Sequence, residues 1–310
     1  MLSFLARRLA IGVATVLAAM VISFLLVRAI PGSPGAVVLG PGVDDEAIRA
    51  VNERIGWYDP LLHQFWNWFG PAVRGDLGES LIDGRSIGAD LAARLPVTAA
   101  VATVVSGVVG IVLGVTAAVR GGRLERVITA GSGVALSLPA FWVGILLVYV
   151  VAIQGGLLPA TGWVPLAESF SGWLQGLVLP VATLAIAGSA IIARTARGGM
   201  VEALRQEHIR TLEATGTPPW RLRYVHALRF ASVPVVSVLG VQFIALFGGT
   251  IVIEQLFALP GLGQAAQSAI VSHDFPAVQG VVVVATVVVV VTNLLLDLVV
   301  AALDPKVRTP

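Results

Sequence analysis

The stretch "QGVVVVATVVVVVTNLLLDLVVAAL", residues 279–303, contains a single charged side chain, that of Asp297. A helix needs about 20 apolar residues to cross a hydrocarbon core about 30 Å thick. Five further runs of this kind occupy residues 9–30, 95–119, 127–153, 173–193 and 231–253. A soluble core could absorb one or two such segments but not six. The sequence therefore predicts an all-α integral membrane protein with six transmembrane helices.

The composition supports a membrane protein and excludes several kinds of site. Of the 310 residues 56% are apolar and 12% charged, whereas soluble domains carry about 25% charged residues. There is no cysteine, which excludes disulfides, thiolate metal ligands and cysteine nucleophiles, and we expect no metal site. The first run is longer than the apolar core of a cleaved signal peptide, so we expect it to be retained as a span.

The distribution of charge predicts the orientation, because basic residues collect on the cytoplasmic loops. Fourteen of the 20 basic residues fall on alternate connections and at the two ends. They are Arg7, Arg8, Arg120, Arg123, Arg126, seven arginines between residues 194 and 229, Lys306 and Arg308. The opposite loops hold most of the acidic residues, among which we count Glu254 and Asp274. Both termini are therefore predicted to be cytoplasmic.

Arg28 departs from this pattern, since it lies at the outer end of the first run. Its side chain could extend to the membrane interface, as long basic side chains do near helix ends. Alternatively, it could be a counter-ion for the acidic outer loop.

The chain divides into an N-terminus with the first span (residues 1–30), an extracytoplasmic insert (31–94) and a core region with the other five predicted spans (95–310). The insert begins with "PGSPGAVVLGPG", residues 31–42, whose prolines and glycines predict turns and no helix. "DDEAIRAVNERIG", residues 44–56, predicts a short helix that Asp44 caps and Gly56 ends.

An aromatic segment follows, "WYDPLLHQFWNWFG", residues 57–70. We expect a helix over residues 61–69 that lies on the outer leaflet, because Trp and Tyr collect at membrane interfaces. The alternative is a docking surface for an extracytoplasmic partner, with Trp57 and Trp66 as contact residues. His63 has no second ligand at metal spacing and is interpreted as structural.

The region 194–230 is the longest basic connection between two runs. "MVEALRQEHIRTLEAT", residues 200–215, predicts a helix, which Gly216 ends in a left-handed conformation. Thr217 is the expected N-cap and Pro218 the expected first residue of a second helix that leads into the fifth span. The arginines alone could serve topology and bind anionic lipid. Two helices separated by a glycine break favour the docking of a cytoplasmic partner instead.

This loop resembles that of the permease subunits of binding-protein-dependent ABC importers, in which an E-A-A-x-x-x-G motif forms a coupling helix that docks in the ATPase subunit. Arg210, Thr211 and Leu212 occupy the E-A-A positions, Gly216 the glycine, and Val233-Pro234 the downstream hydrophobic-Pro. The stretch "RTLEATGTPPWRLRYVHALRFASVP", residues 210–234, is similar to the variant found in peptide-type permeases. The resemblance implies that ATPase coupling involves Arg210, Thr211, Leu212, Glu213, Ala214, Gly216, Pro218 and Trp220.

The resemblance covers nearly the whole chain and is most specific to the B-type subunit of dipeptide, oligopeptide or nickel importers. Further matching fragments are "FLARRLAIGVATVLAAMVISFLLVRAIPGSP", "RGDLGESLIDGRSIGADLAARLPVT", "LSLPAFWVGILLVY", "GGLLPATGW" and "FALPGLGQ". It implies a type I ABC importer permease architecture, located in the bacterial cytoplasmic membrane. It also implies alternating access, by which dipeptides or short oligopeptides are translocated.

The resemblance further implies the partners of the chain. They are a second homologous permease, two ABC ATPase subunits that bind ATP and Mg, an extracytoplasmic solute-binding protein, the peptide substrate and membrane lipid, but no nucleic acid. The sequence agrees, because its one lysine, Lys306, follows no glycine run, so the chain lacks a G-x-x-x-x-G-K-[ST] loop. We expect no cofactor on this chain and no enzymatic activity of its own.

Two further places are candidate sites. Asn293 and Asp297 lie four residues apart on one helix face, where they could line a translocation path or form a clamp between helices. If they carried transport themselves, the protein would be an ion-coupled carrier or a channel. The other place is the "LPGLG" turn, in which Leu259, Pro260, Gly261 and Gly263 would belong to an outer gate, followed by a short helix.

Overall fold

The computed structural model describes the backbone of residues 2–101 and 104–303, and regular structure in these ranges is helical apart from one isolated antiparallel bridge, Glu79 to Ser86. The helices are α1 (Leu2–Ala29), α2 (Pro34–Leu39), α3 (Asp45–Arg54), α4 (Leu61–Ala72), α5 (Ile87–Val101), α6 (Val104–Arg120), α7 (Gly122–Ser137), α8 (Ala140–Leu147), α9 (Phe170–Leu204), α10 (Glu207–Ala214), α11 (Pro219–Arg221), α12 (Leu228–Leu256), α13 (Leu262–Val271) and α14 (Phe275–Leu303). π-Helical turns continue α8 (Val148–Gln154) and join α11 to α12 (Leu222–Ala227). The predicted all-α class is confirmed.

Four continuous helical segments in the described part of the chain are long and apolar enough to cross a membrane. They are Leu5–Ala29, Phe170–Leu204, Pro219–Leu256 and Phe275–Leu303, and they cover four of the six predicted spans except for Ile30 at the end of the first. The predicted span at residues 95–119 falls on α5 and α6, and residues 102–103 between these helices lie outside the described part.

The predicted span at residues 127–153 corresponds to a pair of helical segments and not to one straight helix. The helical segments Gly122–Ser137 and Ala140–Gln154 are bent by 103° at a short break. Leu138 and Pro139 are extended there, with ψ of 131° and 134°. Proline has no N–H to donate and drives the residue before it out of the helical region. The chain therefore changes direction at Leu138 instead of continuing as one rod.

The expectation that residues 31–42 contain no helix is wrong, because α2 forms within them. Its prolyl residue, Pro34, occupies the first helical position, where a missing N–H costs nothing. The Ser33 hydroxyl caps the helix by accepting from the N–H of Ala36 at 3.3 Å. Buried Asn52 then ties α2 to α3: it accepts from the N–H of Gly35 at 2.8 Å and donates to Ser33 Oγ at 2.9 Å.

The other two helices of the insert agree with the prediction. α3 begins directly after Asp44, which occupies the cap position without a side-chain hydrogen bond, and the chain leaves α3 through Gly56 with φ of 71°. α4 begins at Leu61 as expected and runs to Ala72, three residues beyond the predicted end.

The chain forms two compact units, the first of which contains residues 99–259 and the C-terminal half of α14. Helix α9 is its centre and packs against α6, α7, α8 and α12. The contact between α6 and α9 depends on glycine: a Cβ placed on Gly110 would lie 2.6 Å from that of Ile192. Small residues let two helix backbones approach closely within a membrane, where no hydrophobic effect drives helices together.

The second unit contains residues 7–98 and 260–291. Asp274 immediately precedes α14 and is buried. Its carboxylate accepts from the hydroxyl of Ser80 at 2.5 Å and from the N–H of Leu81 at 3.2 Å. A third carboxylate contact, from the N–H of Ala277 at 3.4 Å, caps the start of α14. One acidic side chain thus joins the end of the insert to the start of the last span.

Candidate functional site

The candidate site is the segment between α9 and α12, which contains α10. The prediction of one continuous helix over residues 200–215 is wrong, because α9 ends at Leu204 and α10 starts at Glu207. Gln206 between them is extended, with ψ of 144°. The segment contains no proline or glycine at this point, so tertiary packing overrides the local helix propensity. Because α10 starts anew at Glu207, the side chain of Ile209 lies in the core, with an exposed fraction of 3%.

The end of α10 is a closed hydrogen-bonded turn. Gly216 has φ of 82°, the N–H of Thr217 donates to the carbonyl of Leu212 at 3.0 Å, and the N–H of Gly216 donates to that of Glu213 at 3.0 Å. This pair of bonds is the Schellman motif, which glycine favours because it lacks a Cβ. The predicted role of Gly216 as the end of the helix is confirmed.

The next helix begins one residue later than predicted, and Thr217 is not its N-cap. Pro218 occupies the cap position, extended with ψ of 143°, and Pro219 is the first helical residue. Proline at 219 forces the residue before it out of the helical region, which explains the shift. From Pro219 the helix continues without a break to Leu256, so the predicted continuity with the fifth span is confirmed.

Most of the predicted coupling residues are exposed. Leu212 is half-buried, and Trp220 has the guanidinium of Arg221 5.3 Å from its ring centre. The exposed members are Arg210, Thr211, Glu213, Ala214, Gly216, Pro218 and Trp220, and together with Leu212 we call them the α10 surface. Ile209, the buried residue that anchors this helix, was missed by the sequence reasoning. Its signal was the i, i+3 pair of apolar residues, Ile209 and Leu212, in a mostly polar helix.

An open groove of about 730 Å³ lies beside α10. Its lining includes Arg197, Glu202, Arg205 and His208. At this groove the Arg197 Nε donates to Glu125 at 2.7 Å, which ties α9 to the first turn of α7. The α10 surface therefore stands next to a concave, mixed-charge surface that belongs to the same unit. An exposed helix beside a groove can dock with a complementary protein surface.

The outer aromatic candidates have different environments. Trp57 is covered on its faces, because the Arg28 guanidinium lies 3.6 Å from its ring centre and the ring of Phe275 stacks on it at 5.9 Å. Arg28 also donates from Nη2 to the carbonyl of Trp57 at 2.8 Å. Trp66, in contrast, is 60% exposed. His63, in the first turn of α4, lies 4.0 Å from Asp59, which precedes that helix.

The candidate gate residues are largely inside the protein. Leu259, Gly261 and Gly263 are buried and Pro260 is half-buried. The N–H of Leu262, in the same turn, donates to Thr98 Oγ1 at 2.8 Å. The short helix predicted after this turn is confirmed as α13. These residues hold a packed turn and offer little surface to a docking protein.

The polar pair of the last span lies at a close helix contact. Asn293 and Asp297 are both half-buried on α14. A Cβ placed on Gly240 of α12 would lie 3.2 Å from Oδ1 of Asn293, so the amide packs directly on the backbone of α12. Glu254, which the charge pattern assigned to an outer loop, belongs to α12 and is fully buried.

Comparison with known proteins places these features in a family. A model described as the binding-protein-dependent transport system inner membrane component matches residues 110–309, and a model of the N-terminal part of such membrane components matches residues 1–102. A probable peptide ABC transporter permease of Sinorhizobium fredii is 35% identical over 98% of this chain and 99% of its own. A putative peptide transport system permease of Brucella abortus and a glutathione transport system permease of Escherichia coli are each 34% identical over 99% of both chains.

Proposed function

This chain belongs to the family of binding-protein-dependent transport system inner membrane components, and we propose on that premise that it translocates dipeptides or short oligopeptides by alternating access. The chain is a multi-pass permease subunit of an ABC importer, and such a subunit is not itself an enzyme. Relatives named as peptide and glutathione permeases support a short peptide as substrate, since glutathione is itself a tripeptide.

The observation that carries the proposal is the α10 surface. A capped helix held by one buried residue, Ile209, exposes most of its remaining side chains beside an open groove. This geometry supports docking into an ATPase subunit, because the chain has no phosphate-binding loop of its own. Two ATPase subunits would then hold the ATP and Mg, on the face that also carries both termini.

Continuous helices provide the path from this surface into the membrane. The α10 segment lies between α9 and the helix that runs from Pro219 to Leu256, two of the long apolar helices. These helices touch near α10, where a Cβ on Gly199 would lie 3.3 Å from Ala231. Closure of the ATPases would therefore move both helices together as packed rods. Rigid-body motion of this kind underlies switching between inward-facing and outward-facing states.

The remaining partners follow from the same premise. A second homologous permease would complete the pathway, and a solute-binding protein would deliver the peptide at the opposite face. The outer gate would include the turn at residues 259–263, whose buried position supports a role inside the pathway wall more than one in docking. The family favours ATP-driven import over an ion-coupled carrier based on Asn293 and Asp297.

The test is a tagged purification from native membranes in mild detergent, followed by mass spectrometry. Wild type is compared with Gly216→Pro, which removes the N–H and the positive φ that close α10. The matched control is Gly75→Pro: Gly75 has φ of 90°, closes α4 with the same pair of bonds and likewise has no atom within 4 Å of an added Cβ.

We expect ATPase subunits and a second permease to co-purify with wild type and with the Gly75 variant. The Gly216 variant should lose the ATPases and keep the second permease. If the Gly216 variant retains the ATPases and imports peptide at the wild-type rate, the coupling role of α10 is wrong. If the wild type purifies alone and transports without ATP, the importer proposal itself fails.

A further inference from the structure

We propose that α4 is an interfacial helix whose exposed edge, formed by Leu62 and Trp66, is immersed in the outer leaflet of the membrane. The occupant of this apolar surface is then lipid and not a docked protein. The outer leaflet here is the one at the C-terminal end of α1.

The side chains of α4 divide into two faces. Leu62 and Trp66 lie one turn apart and are 74% and 60% exposed, and Val73, just past the helix, continues the same edge. The neighbouring arc of the helix carries His63, Asn67 and Gln64, in that order away from Trp66. Residues 61–72 contain no Asp, Glu, Lys or Arg. A short helix with an apolar aromatic edge and an uncharged polar face suits the boundary between acyl chains and headgroups.

The length of α1 locates that boundary. Its apolar residues 9–27 are bracketed by Arg8 and Arg28 and span roughly 28 Å at about 1.5 Å per residue. This matches a hydrocarbon core of about 30 Å, so Arg28 marks the edge of the core. The Arg28 guanidinium bonds the carbonyl of Trp57 and lies over its ring, which is typical of groups at headgroup level.

Helix α4 packs below this level. The ring of Phe24 contacts Phe65 at 5.4 Å and stacks on Trp68 at 6.2 Å, measured between ring centres. Phe24 lies one turn before Arg28, about 6 Å deeper along the axis. Its side chain also leans towards the N-terminus of α1, which takes the ring deeper still. An interfacial helix buries its apolar side about 5–10 Å below the headgroup boundary, which is where these contacts hold α4.

The polar face of α4 contacts residues 57–59, the segment that lies at headgroup level. Gln64 donates from Nε2 to the carbonyls of Trp57 and Asp59, at 3.0 and 2.6 Å. His63 lies beside Asp59. The Gln64 amide is therefore hydrogen-bonded to the chain at the headgroup level, while α1 itself exposes apolar side chains near its outer end, namely those of Ile22, Leu25 and Leu26.

The proposal is tested by depth measurements, which the cysteine-free chain makes direct. Single cysteines replace Leu62, Trp66, His63 or Asn67 in the full chain, each carries a nitroxide label, and each protein is reconstituted in vesicles of phosphatidylcholine and phosphatidylglycerol. Collision rates with oxygen, which partitions into lipid, are compared with those of a water-soluble nickel chelate. All four positions are exposed, so none of the labels needs to displace a packed core residue.

We expect oxygen to dominate at positions 62 and 66 and the nickel chelate to dominate at 63 and 67, with at least a severalfold difference in their collision ratio. Leu62→Asp should reduce the immersion of a label at position 66. Equal access of the nickel chelate to 62, 66 and 67 would overturn the proposal and leave this edge to a protein partner. Because the test uses the chain alone in vesicles, its outcome is independent of ATPase docking and of peptide import.

Discussion

Gly114 of α6 lies so close to Ala196 of α9 that a Cβ placed on the glycine would be 2.7 Å from that of the alanine. One turn earlier, Gly110 would meet the carbonyl of Ser189 at 2.8 Å. Backbone atoms of α9 are among the nearest neighbours at both glycines, so the two helices touch through their backbones. This contact continues along α9 towards Arg197, which borders the groove next to α10. The first unit therefore depends on an interface with no space for a methyl group.

Gly114→Ala should destabilise the protein by about 2 kcal/mol, because overpacking a fitted interface costs roughly 1–3 kcal/mol. The measurement is thermal unfolding of the detergent-solubilised protein. Gly131→Ala on α7 is the matched control, since nothing lies within 4 Å of its added Cβ and alanine favours a helix over glycine. Equal melting temperatures for the two variants would contradict the tight α6–α9 interface.

Ile209→Ala should release α10 from its anchor, because it removes the buried side chain on which the helix is held. Truncating a buried isoleucine costs about 2–5 kcal/mol, and here the loss falls on one short helix. We expect ATP-dependent peptide uptake by the assembled complex to fall more than tenfold while membrane insertion persists.

The control for this change is Ile244→Ala on α12, where the same truncation removes an exposed side chain. Uptake with this variant should stay near the wild-type rate. If Ile209→Ala transports as well as Ile244→Ala, the anchor role is wrong.

Asp274→Ala should loosen the segment around Ser80, because it removes the acceptor for the Ser80 hydroxyl and the Leu81 N–H together with the cap of α14. Hydrogen bonds to a charged group contribute about 1.5–3 kcal/mol. Amide hydrogen exchange at residues 79–86 should accelerate at least tenfold. Glu79→Ala, an exposed acid in the same segment, should leave exchange unchanged. Similar protection in both variants would show that Asp274 does not hold this segment.

Asp297→Asn should change uptake by less than tenfold, corresponding to under ~1.4 kcal/mol. The reason is that its neighbour on the same face, Asn293, packs against the backbone at Gly240, as expected for a clamp between helices. Uptake by the reconstituted complex is the measurement, with co-purification as the check on assembly. Complete loss of uptake with normal assembly would make Asp297 a pathway residue instead.

The sequence by itself determined the features that depend on local chemistry. The apolar runs predicted membrane helices because a bilayer demands a minimum apolar length. Gly216 predicted the end of α10 because only glycine takes a positive φ without cost, and the acidic start and glycine end of α3 predicted that helix. Each of these signals lies within one or two turns of the structure that it predicts.

The tertiary structure decided which side chains are buried and where helices break. Ile209 and Glu254 are buried in stretches whose local sequence predicts exposure. Helix α9 ends at Leu204, where the local sequence predicts that the helix continues. The break at Leu138 is marked by a proline, yet a membrane helix can also absorb a proline as a kink when its neighbours satisfy the freed carbonyl. Burial and breaks depend on helices that are distant in sequence, such as α6 against α9, and a local pattern does not contain their positions.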